Sequence, residues 1–149
     1  NMPEGEGLGL AVHRSFVTYV ASCAHVKIVD GQITVPEVHM AVDCGYAANP
    51  ERSRSQMEGA AVMGMTAALY FGVEFKDGAA VQSNYNDYEM VRSTNFSLKV
   101  QTHIVKNPFS VHASGVGEPG VPPIPPAIAN ALFHATGVRK RDMPMGVDV

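Results

Sequence analysis

Val26-Lys27-Ile28-Val29-Asp30-Gly31-Gln32-Ile33-Thr34-Val35 is the stretch that decides the fold. Asp-Gly between two alternating, β-branched runs is a strong hairpin signal, because the tight turn joining twisted strands needs positive φ at both central residues. Toward the N-terminus the alternation extends back to Gly7, through Leu8, Leu10 and Val12 and then Val17, Tyr19 and Ala21. Toward the C-terminus the return strand runs from Ile33 to Val42. Its apolar positions, Ile33/Val35 and Val38/Met40/Val42, fall on opposite parities, which predicts a bulge near Pro36.

Asp43-Cys44-Gly45 ends that strand, and Asn49-Pro50-Glu51 starts a helix with a capping side chain, a first-position proline and a first-turn acid. The pattern predicts a helix to Phe71, stopped by Gly72, about 33 Å long. Its centre, Met57 to Leu69, is apolar almost all round and predicts burial. Gly59 and Gly64 are each unfavourable there by about 1 kcal/mol, so another element or a ligand should approach closely. A second hairpin turns at Asp77-Gly78, residues 83–97 read as a long ordered loop, and Lys99 to Val105 reads as a strand. A last helix should begin within Pro123–Pro126, reach Ala135 and end at Thr136-Gly137. The expected architecture is α+β, a mainly antiparallel sheet with hairpins packed against two helices on one face.

The 149 residues are 46% hydrophobic and 17% charged, enough to bury a core as a single domain. A net charge of -3 gives no electrostatic footprint for nucleic acid or an anionic membrane. No apolar run reaches the roughly 18 residues a membrane span needs, and no signal-peptide pattern opens the chain. Asn1 before Met2 reads as a tag remnant or an internal cut, so residues 1–149 are expected to be a fragment of a longer subunit. Cys23 and Cys44 lack CxxC spacing and read as buried small apolar residues. The six histidines, at 13, 25, 39, 103, 112 and 134, show no metal-ligand spacing. Ser114 has no GxSxG elbow, and neither glycine cluster has the dinucleotide-binding spacing.

The segment richest in chemistry is Gly115-Val116-Gly117-Glu118-Pro119-Gly120-Val121-Pro122. Glycines let a backbone approach a ligand, and a proline stiffens the residue after the acid. Glu118 can be read as an acid favoured by the dipole of the helix that follows, or as a general base on a stiff turn. Gln56 is a neutral amide able to hydrogen-bond a ligand pressed against the long helix. Glu58, also placed within the first two turns, reads as an ion-pair partner or a helix N-terminal acid.

Taken together, four stretches resemble the C-terminal part of the molybdopterin-binding large subunit of xanthine oxidase/aldehyde oxidase-type molybdenum hydroxylases, nearest the isoquinoline 1-oxidoreductase beta subunit type. They are Gly7 to Ala21; Ala41-Val42-Asp43-Cys44-Gly45 with Asn49-Pro50 and Gln56-Met57-Glu58-Gly59-Ala60; Asn84-Tyr85-Asn86-Asp87-Tyr88 with Arg92; and Gly115 to Pro123 with Ala127 to Ala131 and Thr136 to Arg141. Thr94-Asn95-Phe96-Ser97 departs from the pattern, which bears on loop shape and substrate contacts. The resemblance implies that Glu118 is the general base and Gln56 a hydrogen-bond partner of the pterin. It also implies that Gly115, Val116 and Gly117 are backbone lining of the metal pocket. No side chain of this segment is expected to ligate the metal. The implied cofactor is molybdopterin cytosine dinucleotide with molybdenum, and the implied partners are the remainder of the large subunit and a small 2Fe–2S subunit. The implied substrate is an aromatic N-heterocycle hydroxylated with water-derived oxygen. An aldehyde or carbon monoxide dehydrogenase large subunit and a non-catalytic assembly domain are the alternatives. The compartment would be the bacterial cytoplasm or periplasm. The isolated segment is expected to bind no molybdenum and to be inactive.

Overall fold

The computed structural model describes residues 2–148, so Asn1, on which the reading of a cut or tag rests, lies outside the described residues. Three strands form an antiparallel meander: β1 (Glu6–Ser15), β2 (Thr18–Val29) and β3 (Gln32–Asp43). The β2–β3 turn is the expected Asp30-Gly31, with φ of 51° and 78°. The pairing steps from His25 opposite Glu37 to Lys27 opposite Thr34. Val35 and Pro36 therefore share the space opposite Val26, and the bulge foreseen from the parity switch is there.

The helix α1 (Pro50–Leu69) carries the chain back along the sheet, so β6 (Lys99–Ile104) joins β3 in parallel, with Val38 opposite Val100. A parallel neighbour needs such a crossover. The four-stranded sheet, ordered β1-β2-β3-β6, is mainly antiparallel as expected, and only its last pairing is parallel. A separate, exposed two-stranded ribbon, β4 (Phe75–Lys76) and β5 (Ala79–Ala80), turns at Asp77-Gly78.

Both helices lie on one face of the large sheet. Val20, Val38, Met40 and Val42 pack there against Met57, Met65 and Leu69 of α1 and Ile124, Ile128 and Leu132 of α2 (Ile124–Thr136). The first strand lands with its leucines outward. Leu8, Leu10 and Val12 are exposed, while Gly7 and Gly9 face α2. A Cβ at Gly7 would stand 2.1 Å from the Ala131 carbonyl oxygen, and one at Gly9 2.1 Å from that of Ala127. Helix α2 rests directly on the β1 backbone, and only glycine admits this.

At the start of α1, Asn49 Oδ1 accepts from the Arg52 N–H at 3.1 Å, and Pro50 opens the helix as expected. The helix ends at Leu69 rather than Phe71. The Thr66 carbonyl accepts from both Tyr70 and Phe71 N–H groups, closing the last turn before Gly72 is reached. The expectation of all-round burial is corrected too, since Val62 and Met63 are 39% and 48% exposed. Its small residues let α1 sink one face into the core and leave the other free. Gly64 meets α2 closely, a Cβ there falling 2.5 Å from Ile124 Cβ, whereas Gly59 has nothing within 4 Å. Among the described residues no helix is long and apolar enough to cross a membrane.

Candidate functional site

Residues 111–121 are pinned at both ends. On one side, Tyr46 N–H donates to the Val111 carbonyl at 3.3 Å and Ser114 N–H to that of Cys44 at 2.9 Å. Gly45, at φ 69°, lets these backbones touch: its Cβ would fall 2.0 Å from the His112 carbonyl oxygen. On the other side, Gly120 is seated against α1 and β3, where a Cβ would be 2.7 Å from Ala60 Cβ and 3.0 Å from Met57 Sδ. Between these anchors the arc 115–118 stands out, with Gly115, Gly117 and Glu118 exposed and Val116 half-buried. A turn closed by Val121 N–H donating to the Glu118 carbonyl at 3.0 Å ends it.

Glu118 does not cap the helix that follows. Helix α2 starts six residues later, its capping position is Pro123, and no acid lies in its first turn. The ion pairs of the described residues all lie elsewhere, which leaves the Glu118 carboxylate facing outward and unpaired. The structure sets Gln56 beside the arc: the nearest atom to a Cβ built on Gly117 is Gln56 Nε2, at 3.7 Å. The Gln56 side chain is exposed, and among the described residues its amide has no hydrogen-bond partner. Gln56, Val116 and Ser114 line a cavity of about 220 Å³ together with Cys44, Tyr46 and Asn49. Ligand pockets begin at roughly 300 Å³, so this cavity alone is smaller than one. Gly115, Gly117 and Glu118 stand at the arc beside it rather than in its lining. Clefts of about 450 Å³ between β3 and residues 95–97, and about 410 Å³ beside α2, hold none of the sequence-predicted residues.

Glu58, expected as an ion-pair partner or N-terminal acid, is neither. It is exposed in the third turn of α1, and the first-turn acid Glu51 makes the local ion pair, to Arg54 at 2.6 Å.

Sequence reasoning missed the β1–β2 turn. Phe16 and Val17 form it with φ of 51° and 64°, a left-handed conformation that a bulky or β-branched residue rarely adopts. Such a residue costs on the order of 1–3 kcal/mol. The Thr18 hydroxyl beside it is buried and donates to the Gly115 carbonyl at 2.7 Å. It accepts in turn from the Ser114 hydroxyl, also at 2.7 Å. A Cβ on Gly115 would be 3.1 Å from Phe16 Cβ, so the turn rests on the arc itself. The one available signal was the parity switch between Val12 and Val17, with no glycine or asparagine to mark a turn.

Cys44 is buried as expected, but Cys23 is half-buried on the outer sheet face; burial raises both thiols above their ordinary range. On the same face Glu37 accepts from Gln101 at 2.5 Å and pairs with Lys99 and His39, and these partners, Gln101 first, hold its carboxyl below the usual range. His39 and His103 stack there with Nδ1 and Nε2 3.1 Å apart. Among the described residues no three His, Cys, Asp or Glu side chains converge as a metal site.

The free face of α1 leaves open space above Gly59. Gly59 exposes bare backbone with nothing over it, and an exposed mid-helix glycine otherwise loses about 1 kcal/mol relative to alanine. An open amide, a glycine arc and an unpaired carboxylate thus stand close together on an α+β domain.

The profile of the molybdopterin cofactor-binding domain matches residues 5–96, and the chain belongs to that family. The Gly115–Glu118 arc lies beyond the matched residues. A membrane-bound aldehyde dehydrogenase [pyrroloquinoline-quinone] of Gluconacetobacter polyoxogenes is 32% identical over 97% of this chain and 19% of its own length. Isoquinoline 1-oxidoreductase subunit beta of Brevundimonas diminuta is 34% identical over 93% of this chain and 18% of its own. Among solved structures, quinoline 2-oxidoreductase from Pseudomonas putida 86 superposes with a TM-score of 0.75 at 21% identity, covering 87% of this chain and 17% of that one, a likeness of fold. The chain thus spans about a fifth of the length of these curated relatives.

Proposed function

We propose that this chain is the part of a molybdenum hydroxylase large subunit that faces the metal centre, with Glu118 as its general base. The observation that carries the reading is the placement of an unpaired carboxylate on an arc pinned at both ends, next to the free Gln56 amide. Gln56 would hydrogen-bond the pterin, Gly115, Val116 and Gly117 would line its pocket with backbone, and Gly59 would leave room over α1.

When bound, the molybdenum cofactor supplies a two-electron oxidant and the site of oxygen transfer. The work of this chain is to orient and to move a proton. Glu118 would accept a proton from the water-derived oxygen, a step for which a well-placed base contributes roughly 10²- to 10⁴-fold.

The likeness to an isoquinoline oxidoreductase subunit supports an isoquinoline-like N-heterocycle as substrate and molybdopterin cytosine dinucleotide as cofactor. The similarly strong likeness to an aldehyde dehydrogenase supports an aldehyde as the second reading. The remainder of the large subunit would complete the pocket, and a small 2Fe–2S subunit would take the electrons.

Glu118→Gln in the full-length enzyme is the test. Turnover is expected to fall by roughly 10²- to 10⁴-fold with molybdenum content intact. Unchanged turnover would leave an assembly domain as the better reading. The isolated 149-residue chain is expected to hold no stoichiometric molybdenum by elemental analysis, because its cavity is only part of a pocket.

A further inference from the structure

We infer that Phe16 is a specificity-determining residue, its ring forming the wall on which a flat aromatic substrate stacks beside the Glu118 arc. This rests on the reading of that arc as the reaction site.

The tip of the β1–β2 hairpin holds two apolar residues in a left-handed conformation that neither favours. Packing within the chain does not explain them: Phe16 is 59% and Val17 69% exposed. Turn chemistry does not explain them either, since the same chain uses Asp-Gly for the same geometry at residues 30–31. Strain that persists without burial marks a position held for another purpose.

The holding device is visible. Thr18, buried, is locked by its two 2.7 Å hydrogen bonds to Ser114 and to the Gly115 carbonyl. Phe16 Cβ is so near Gly115 that even a methyl group there would crowd it. Gly115 is three residues from Glu118. The ring is therefore fixed against the arc that carries the base, with most of its surface open. An aromatic side chain presented this way gains most from a second ring, by offset or edge-to-face stacking.

Equilibrium dialysis of isoquinoline into the full-length subunit, compared with turnover, is the test. Phe16→Ala is expected to weaken isoquinoline binding roughly tenfold while Phe16→Tyr retains it. Gly115→Ala, which presses on the ring from the other side, should weaken binding several-fold. Melting temperatures should move little, which separates a lost wall from a damaged fold. Wild-type affinity in Phe16→Ala, or no isoquinoline binding by the wild type, would overturn the assignment. A Glu118→Gln enzyme that keeps its turnover sinks the base reading alone, since the change in binding at Phe16 is measured without it.

Discussion

Two turns of the same sheet adopt one backbone with opposite chemistry. At the β2–β3 end, Asp30-Gly31 supplies residues suited to positive φ, and Gly31 stands in open space. At the β1–β2 end, Phe16-Val17 adopts nearly the same angles without the residues that favour them, and is tied through Thr18 to the arc carrying Glu118. The first turn is stable by local preference. The second exists because tertiary contacts hold it, and it is the one at the candidate site. Strain gathers where position matters more than propensity.

Removing the support should break the contrast most severely. Gly45→Ala puts a Cβ 2.0 Å from the His112 carbonyl oxygen at a φ of 69°, so clash and strain combine. A loss of about 3 kcal/mol in a urea titration is expected, and the arc would no longer back the Phe-Val tip.

Thr18→Val cuts the tie itself. The Ser114 hydroxyl and the Gly115 carbonyl each lose a partner, and a loss of about 2 kcal/mol is expected by the same titration.

Making the two turns alike is the third experiment. Phe16→Asn combined with Val17→Gly installs the preferred turn and should stabilise the chain by about 1–2 kcal/mol. A thermal melt would show a rise of several degrees, together with weaker aromatic binding in the full-length subunit. A fall in melting temperature would mean that the tip is buried in its own fold.

The smallest effect belongs to the Asp-Gly end of the β1–β2 ladder. There Glu6 pairs with Lys27 at 2.8 Å and His25 at 2.7 Å, and these partners, Lys27 first, hold its carboxyl below the usual range. A depressed carboxylate contributes stability above its unfolded-state value, and that contribution fades as pH falls through the lower folded value. Melting temperature should therefore decline on the acid side of the ordinary carboxylate range, and Glu6→Gln should flatten that limb slightly.

Most of the fold was legible because local chemistry and global structure agree at the Asp30-Gly31 turn, the Pro36 bulge, the Asn49-Pro50 cap and the Gly137 stop. The failures share a physical cause. Leu8, Leu10 and Val12 alternate as a core face should, yet Gly7 and Gly9 face inward because α2 lies too close to β1 for any side chain. Parallel pairing of β6 depends on where α1 returns the chain, which period-two patterning does not encode. Glu118, Gln56, Gly115, Val116 and Gly117 were singled out as candidates by motif, and the Phe16-Val17 turn was not, because its conformation is imposed from residues nearly a hundred positions away.

Turn chemistry and hydrophobic patterning by themselves determined the α+β class and the element order, since these rest on preferences that act within a few residues, while the cofactor-binding family was legible from the resemblance of whole motif stretches. Tertiary structure alone decided which face of β1 is buried, that Glu118 is free rather than capping α2, and that a strained aromatic tip is pinned against its arc. Each of those depends on backbones distant in sequence meeting at van der Waals separation, a distance no local pattern records.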